Sequence, residues 1–422
     1  MGSFGEKIAL LILGKDEKAS RRRITFFLLL LNVLTSAAVS IYIPCLKQMA
    51  VDLKTTGAVM QMTIVAHLVG EFFGRALCGP IIEYHGNRMV ILPSLLISII
   101  GHFGCMIAES SPAFMVARFI QAIGSSVIYI VSQNIINETF DEKEKNGVVG
   151  ILELHQPIAW ILSPLVGSIL AEISSWRVSF LLLALAQITG LLFFWKYPAD
   201  KHIKTLKTLS VSRFVRQYAD VLKNSSFMIY ALIPGLFSGG YMIFATGSTF
   251  ICHEFFGDSS TGVAIFSIIP LFFYIIATFV YKAIVGKYGL GISRRIGTAI
   301  YSIFGIYIIY IAVHHSPWTP GMVLTLMCLQ CAGSAFLVPI SVLKALQSAH
   351  NSTCVGALTV VIFRNIIMSI CISAVAKFNS SITAVMACVF IAVATVLVLI
   401  TMRKIIRTRA NRRRKQHGIS PR

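Results

Sequence analysis

Acidic residues are scarce and unevenly placed. All 17 Asp and Glu lie at or before Asp258, and the last 164 residues hold none. Chemistry that needs a carboxylate therefore belongs to the first half of the chain or to the loop just past its middle. Charge of either sign is rare: 13% of residues are charged and 56% are hydrophobic, against roughly 25% charged in an ordinary soluble domain. One core cannot hide that much apolar side chain, so lipid must act as a second solvent. No GxxxxGK run followed by Ser or Thr occurs, which speaks against nucleotide-driven work by this chain. The nine cysteines are scattered, and the lone CxxC, Cys328 and Cys331 in "LMCLQCAG", sits in an apolar run. Zinc would need more ligands, so these thiols read as small packing groups. No cofactor, no metal and no enzymatic role are expected. The opening "MGSFGEKIALLILGKDEKASRRR" has too short an apolar stretch for a signal peptide. Glu6 stands where a myristoylation signal needs Ser or Thr. The segment reads as a basic cytoplasmic tail.

What is present is a long series of apolar runs. The formal charge of +20 suggests nucleic acid at first sight. However, the bases cluster in short segments between apolar runs and in the two tails, as in cytoplasmic membrane loops facing an anionic leaflet. A bilayer core takes about 20 helical residues. Twelve candidates fit: 24–45, 58–82, 90–108, 113–137, 147–171, 177–196, 227–250, 261–282, 297–314, 319–341, 354–376 and 382–402. The expected fold class is thus an all-α membrane protein with twelve transmembrane helices in two six-helix bundles. The expected parts are a cytoplasmic tail (1–23), a first bundle (24–196), a central cytoplasmic loop (197–226), a second bundle (227–402) and a basic tail (403–422). The tails, the central loop and "GKYGLGISRR" are basic, while "ESSP", "HEFFGDSS" and "HHSPWTP" are poor in Lys and Arg. Both termini are therefore expected in the cytoplasm. "EYHGNR" after the second span and "GKYGLGISRR" after the eighth occupy equivalent places, an echo of internal duplication. Two such bundles with a pocket between them would work by alternating access.

Three ionisable residues interrupt the second span in "HLVGEFFGR": His67, Glu71 and Arg75. Spaced four apart, they form one stripe on a helix, with Glu71 near mid-depth. A charge there costs roughly 2.5 to 3.5 kcal/mol on insertion scales, so the stripe should face a cavity or a partner. One reading is a neutralised structural ladder. The other makes Glu71 a proton carrier: desolvation favours its protonated form, Arg75 favours the charged one, and the imidazole of His67 titrates near neutral pH. Glu153 in the fifth span is the other acid well inside a span. Arg118 and Arg364 are buried bases that suit an anionic or zwitterionic substrate, because Arg binds carboxylates through two parallel hydrogen bonds.

Several segments resemble the major facilitator superfamily, and more narrowly its bicyclomycin/chloramphenicol-resistance (Bcr/CflA) drug-efflux branch. "GPIIEYHGNR" (79–88) resembles that branch's G-P-x-x-D-R-x-G-R-R loop, with Glu83 in place of Asp. "RFIQAIGSS" (118–126) resembles R-x-x-Q-x-x-G, "SPLVGS" (163–168) a degraded G-P-x-x-G-G, "SWRVSF" (175–180) W-R-x-x-F, and "ATGSTF" (245–250) S-G-S-P-F. The order of the five, over about residues 35 to 400, carries the resemblance. It implies a conformational latch at Gly79, Glu83, Gly86 and Arg88. It also implies a pocket lined from the first, fourth and seventh spans, with Arg118, Gln121, Tyr42, Tyr129, Phe237, Tyr241 and Phe244, and Arg364 from the eleventh. One departure stands out. Near "IYIP" the branch has an acid two residues before the Tyr, and in related antiporters that acid helps carry the coupling proton; here the position is Ser40. Glu71, with His67 and Arg75 beside it, is the candidate replacement.

The resemblance implies an inner-membrane secondary transporter, expected to export a small organic compound, either drug-like or an endogenous metabolite such as a siderophore, in exchange for protons. Alternatives are an importer of an organic anion or amino-acid-like solute, and a non-transporting sensor or scaffold of the same fold. The expected partners are a small-molecule substrate, protons and an anionic inner leaflet, with no nucleic acid; a monomer is compatible. Reporter fusions at Arg422 and within 252–258 should report opposite sides of the membrane, and the same side for both would overturn the topology.

Overall fold

The computed structural model describes residues 17–152, 155–196, 211–256, 260–313, 319–349 and 353–377. Among them, nine segments are long and apolar enough to cross a bilayer. One of these, Ala264–Ile308, runs 45 residues and covers most of both the eighth and ninth expected spans. The fifth is a shorter apolar helix, Ile158–Ile173. The twelfth, expected at 382–402, lies outside the described residues.

Two expectations are amended. The first span is not one helix from 24 to 45: it runs Glu17–Ser40, and after a turn a short 3-10 segment, Ile43–Cys45, leads into the helix Leu46–Asp52. Pro44 has no N–H to continue the ladder. The fifth span, expected from 147 to 171, is helical over Glu142–Leu152 and His155–Ile173, and Glu153 lies outside the described residues. The central segment 197–226, expected to be a loop, contains the helix Val211–Lys223. Its apolar side rests on the second half, with Val221 buried among Phe227, Ala345, Ala349 and Val355. Asn224 fastens the join: its side-chain oxygen accepts from the backbone N–H groups of Ser226 and Phe227, and its Nδ2 donates to the Ser348 carbonyl at 2.7 Å.

The echo between "EYHGNR" and "GKYGLGISRR" is visible in the backbone. The second and third spans form one continuous element, Gly57–Ile107, turned at Gly86 (φ 80°, ψ 171°). The eighth and ninth form Ser260–Val313, turned at Gly289 (φ 78°, ψ 174°). That region of backbone space is open essentially to glycine alone. These are the two positive-φ glycines among the described residues.

Small residues let the spans close up, as expected in lipid, where packing rather than water drives helix association. Any side chain at Gly70 or Gly74 would run into the Phe119 or Ile123 carbonyl of the fourth span, and one at Gly101 into the Gln121 backbone. In the second half, Gly235 and Gly239 take Ile367 and Cys371 of the eleventh span in the same way. The halves meet where the eleventh span packs on the Gly57–Ile107 element and where His155–Ile173 packs on Ser260–Val313. An apolar cluster that includes Ile41, Met49, Met60 and Ile64 from the first half and Met242, Met368 and Ile372 from the second closes the end carrying the 46–56 connection.

Gly289→Ala should destabilise by about 1–3 kcal/mol, since its backbone conformation is strained for any side chain. Gly291 has open space and no positive φ, so Gly291→Ala should be neutral or stabilising by up to about 1 kcal/mol. Thermal unfolding in detergent checks both, and equal effects would remove the backbone explanation.

Candidate functional site: a cavity between the two halves

Between the halves lies a cavity of about 560 Å³. Glu71 is on its wall. The four-residue spacing of the stripe holds, and one carboxylate oxygen, Oε2, accepts from Arg75 Nη1 at 2.8 Å. The same oxygen accepts from Asn365 Nδ2 at 2.7 Å. Asn365 belongs to the eleventh span, so this bond joins the two halves. The other oxygen, Oε1, lies 3.7 Å from His67 Nε2. The stripe is divided by depth: Glu71 and Arg75 reach the cavity, whereas His67 is fully buried behind them. A carboxylate in hydrocarbon needs such partners, because an unpaired buried charge costs several kcal/mol.

A second bridge is aromatic. Trp160 of the fifth span stacks on Tyr241 of the seventh, with ring centroids 5.4 Å apart and planes 8° apart. Tyr129, Phe237, Tyr274 and Arg364 also line the cavity. Phe237 packs edge-on against Tyr301 at 4.7 Å.

Other expected pocket residues sit elsewhere. Arg118 does not line the cavity; it is fully buried within the first half. Its Nη1 donates to the Ala38 carbonyl at 2.8 Å and to Gln121 Oε1 at 2.6 Å. Its guanidinium carbon lies 4.6 Å from the centre of the Tyr42 ring. Tyr42 in turn shares a 3.0 Å hydrogen bond with Thr63, and Gln121 reaches the His102 ring at 2.7 Å. Arg118, Gln121 and Tyr42 thus form an internal brace joining the first, third and fourth spans. The guanidinium turns inward because the carbonyl, the amide and the ring face offer it partners there. Phe244 belongs to the core of the second half, against Phe266. At the departure from the branch, Ser40 is buried and shares a 2.6 Å hydrogen bond with Ser163. The two hydroxyls satisfy each other, so the site carries no charge.

Of the expected latch, Gly86 makes the turn described above, and Arg88 donates to the Trp195 carbonyl at 2.6 Å. Gly79 lies within the Gly57–Ile107 element, and the Glu83 side chain lies outside the described residues. His155 lines the cavity with its Nδ1 2.7 Å from the Leu152 carbonyl. Asn365, Trp160, Gln156 and Gln330 also line it and were not expected. "FRNI", a second polar residue next to Arg364 in an apolar span, was the available signal for Asn365.

The sequence profile of the Major Facilitator Superfamily matches residues 28–370. The chain belongs to this superfamily. Its apolar, bilayer-length segments make it a multi-pass membrane protein of that superfamily. Its relatives include an uncharacterized MFS-type transporter, YdgK, of Bacillus subtilis, 25% identical over 57% of this chain and 60% of that protein. A chloramphenicol resistance protein of Pseudomonas aeruginosa is 24% identical over 50% of each chain. The multidrug transporter MdfA of Yersinia pestis is 29% identical over 42% of this chain and 43% of that one. The chain thus spans about half the length of these relatives. Among solved structures, the xylose transporter XylE of E. coli, in a partially occluded inward-open conformation, aligns with a TM-score of 0.67 at 14% identity over 88% of this chain and 95% of that one. A mutant of the peptide transporter POT in complex with sulfate aligns at 0.71 and 13% identity over 95% and 98%. At these identities the likeness is one of fold.

The Glu71–Asn365 bond gives a testable coupling. Asn365→Leu should destabilise by about 1–3 kcal/mol, the cost of a lost partner for a buried charge. Adding Glu71→Gln should cost less than the sum of the single changes, by about 0.5 kcal/mol or more. Thermal unfolding of the four proteins of the cycle measures this, and strict additivity would mean that the bond contributes nothing.

Proposed function

We propose that this superfamily transporter is a proton-coupled antiporter that exports a small organic compound across the inner membrane. In this reading both termini are cytoplasmic, and bundles 24–196 and 227–402 rock about the cavity. The observation that carries it is Glu71 on the cavity wall, with one hydrogen-bond partner, Arg75, from its own half and another, Asn365, from the other half. Rocking that separates the second and eleventh spans takes Asn365 away and changes the carboxylate's surroundings. Protonation of Glu71 weakens its bonds to Arg75 and Asn365 and with them the contact between the halves, so the arrival of a proton biases the rocking, as one half-cycle of antiport requires. His67, against the other oxygen, is placed to tune that protonation. The turn with Gly79, Glu83, Gly86 and Arg88 serves in this reading as the latch between states, and Glu153 is the reserve carrier. Export is supported by the names of relatives: chloramphenicol resistance, a bicyclomycin resistance homolog of Haemophilus influenzae and multidrug transport. An importer of an organic anion is the second reading, favoured by the two guanidiniums, Arg75 and Arg364, on the cavity wall.

Inverted vesicles with an imposed pH gradient, screened for solute accumulation across compound classes, should show uphill uptake. Glu71→Gln should abolish it while leaving downhill exchange. Coupled proton movement that is the same in wild type and Glu71→Gln would remove Glu71 as carrier, and accumulation in right-side-out vesicles alone would establish import.

A further inference from the structure

The cavity wall also bears on what is carried, and this rests on the transporter reading above. Among the described lining residues there are two guanidiniums, Arg75 and Arg364, and one carboxylate, Glu71. The Glu71 oxygen Oε2 accepts from both Arg75 and Asn365. A cationic solute would have to displace these partners to reach the carboxylate, with Arg364 on the same wall opposing it. An anionic solute meets attraction from the guanidiniums, and a guanidinium binds a carboxylate or sulfonate with directed, charge-assisted hydrogen bonds. The rest of the wall is chiefly apolar and aromatic. The Trp160–Tyr241 stack is placed differently from the other rings: each half contributes one ring, and the planes are 8° apart. Such a pair presents flat faces and edges to the cavity, and it can take a planar ring alongside, or between its members when the halves move apart. We propose that the cavity binds a small organic monoanion carrying a planar aromatic ring, its anionic group held by Arg364 and its ring laid against Trp160 and Tyr241.

Binding to the purified full-length protein in nanodiscs tests this without any transport step, so its outcome is independent of coupling. The probes are 2-naphthoate, the neutral 2-naphthamide, the cationic 2-naphthylmethylammonium and the non-aromatic cyclohexanecarboxylate, followed by calorimetry. In the wild type, 2-naphthoate should bind at least tenfold more tightly than each of the other three. Arg364→Gln should weaken 2-naphthoate at least tenfold and leave 2-naphthamide unchanged, and Arg364→Lys should recover only part of the loss. Trp160→Ala should weaken 2-naphthoate and 2-naphthamide together and leave cyclohexanecarboxylate unchanged. The wild-type ranking alone decides if a variant does not fold. Amide or cation binding as tightly as the naphthoate, or no naphthoate binding at millimolar concentration, overturns the proposal. So does a naphthoate affinity that is the same in wild type and Arg364→Gln.

Discussion

A charge cannot be left alone in hydrocarbon, and the arrangement of this protein around its cavity follows from that constraint. Glu71 is tolerated within the apolar second span because Arg75 lies one helical turn away and Asn365 reaches it from the opposite half. The second requirement is the more consequential. Arg75 would satisfy much of the carboxylate within a single helix, but the bond to Asn365 makes the relation between the halves part of the carboxylate's solvation. Any motion that opens the contact between the second and eleventh spans therefore carries an electrostatic cost, and any change in the charge of Glu71 alters the preference for closure.

The same constraint explains why a brace lies beside the site. Arg118 is buried as deeply as any residue in the first half, yet it faces a carbonyl, an amide and the Tyr42 ring rather than the cavity. These contacts tie the first, third and fourth spans into a unit, and the glycines at 70, 74 and 101 bring the second and third spans against the fourth. In the rocking proposed above, a first half tied together by these contacts carries Glu71 as part of one body.

The serine pair at the end of the first span fits the same picture. Ser40 and Ser163 bond to each other in a buried contact between the first and fifth spans. A carboxylate there would need a counter-charge that this contact does not contain. With the acid absent from the first span and present on the second, the ionisable wall of the cavity moves toward the eleventh span, where Arg364 and Asn365 stand next to each other.

The sequence alone determined the solvent, the number and order of most spans, and the presence of a charged stripe, because each depends on local composition or on helical period. Hydropathy over a window of about 20 residues needs no tertiary information, and four-residue spacing fixes a helix face whatever that face touches. The segments "EYHGNR" and "GKYGLGISRR" were legible as equivalent places, and the structure singled out Gly86 and Gly289 in them as the positive-φ positions. What each face touches was decided by the tertiary structure. Arg118 and Arg364 are both single bases in apolar spans; one turns into its own bundle and the other lines the cavity, and no property of the flanking residues separates them. Asn365 and Trp160 acquire their roles only across contacts with residues 294 and 81 positions away, Glu71 and Tyr241. A pattern read along one helix can show that a charge needs a partner, but the partner is chosen by the packing of two halves that the chain visits far apart.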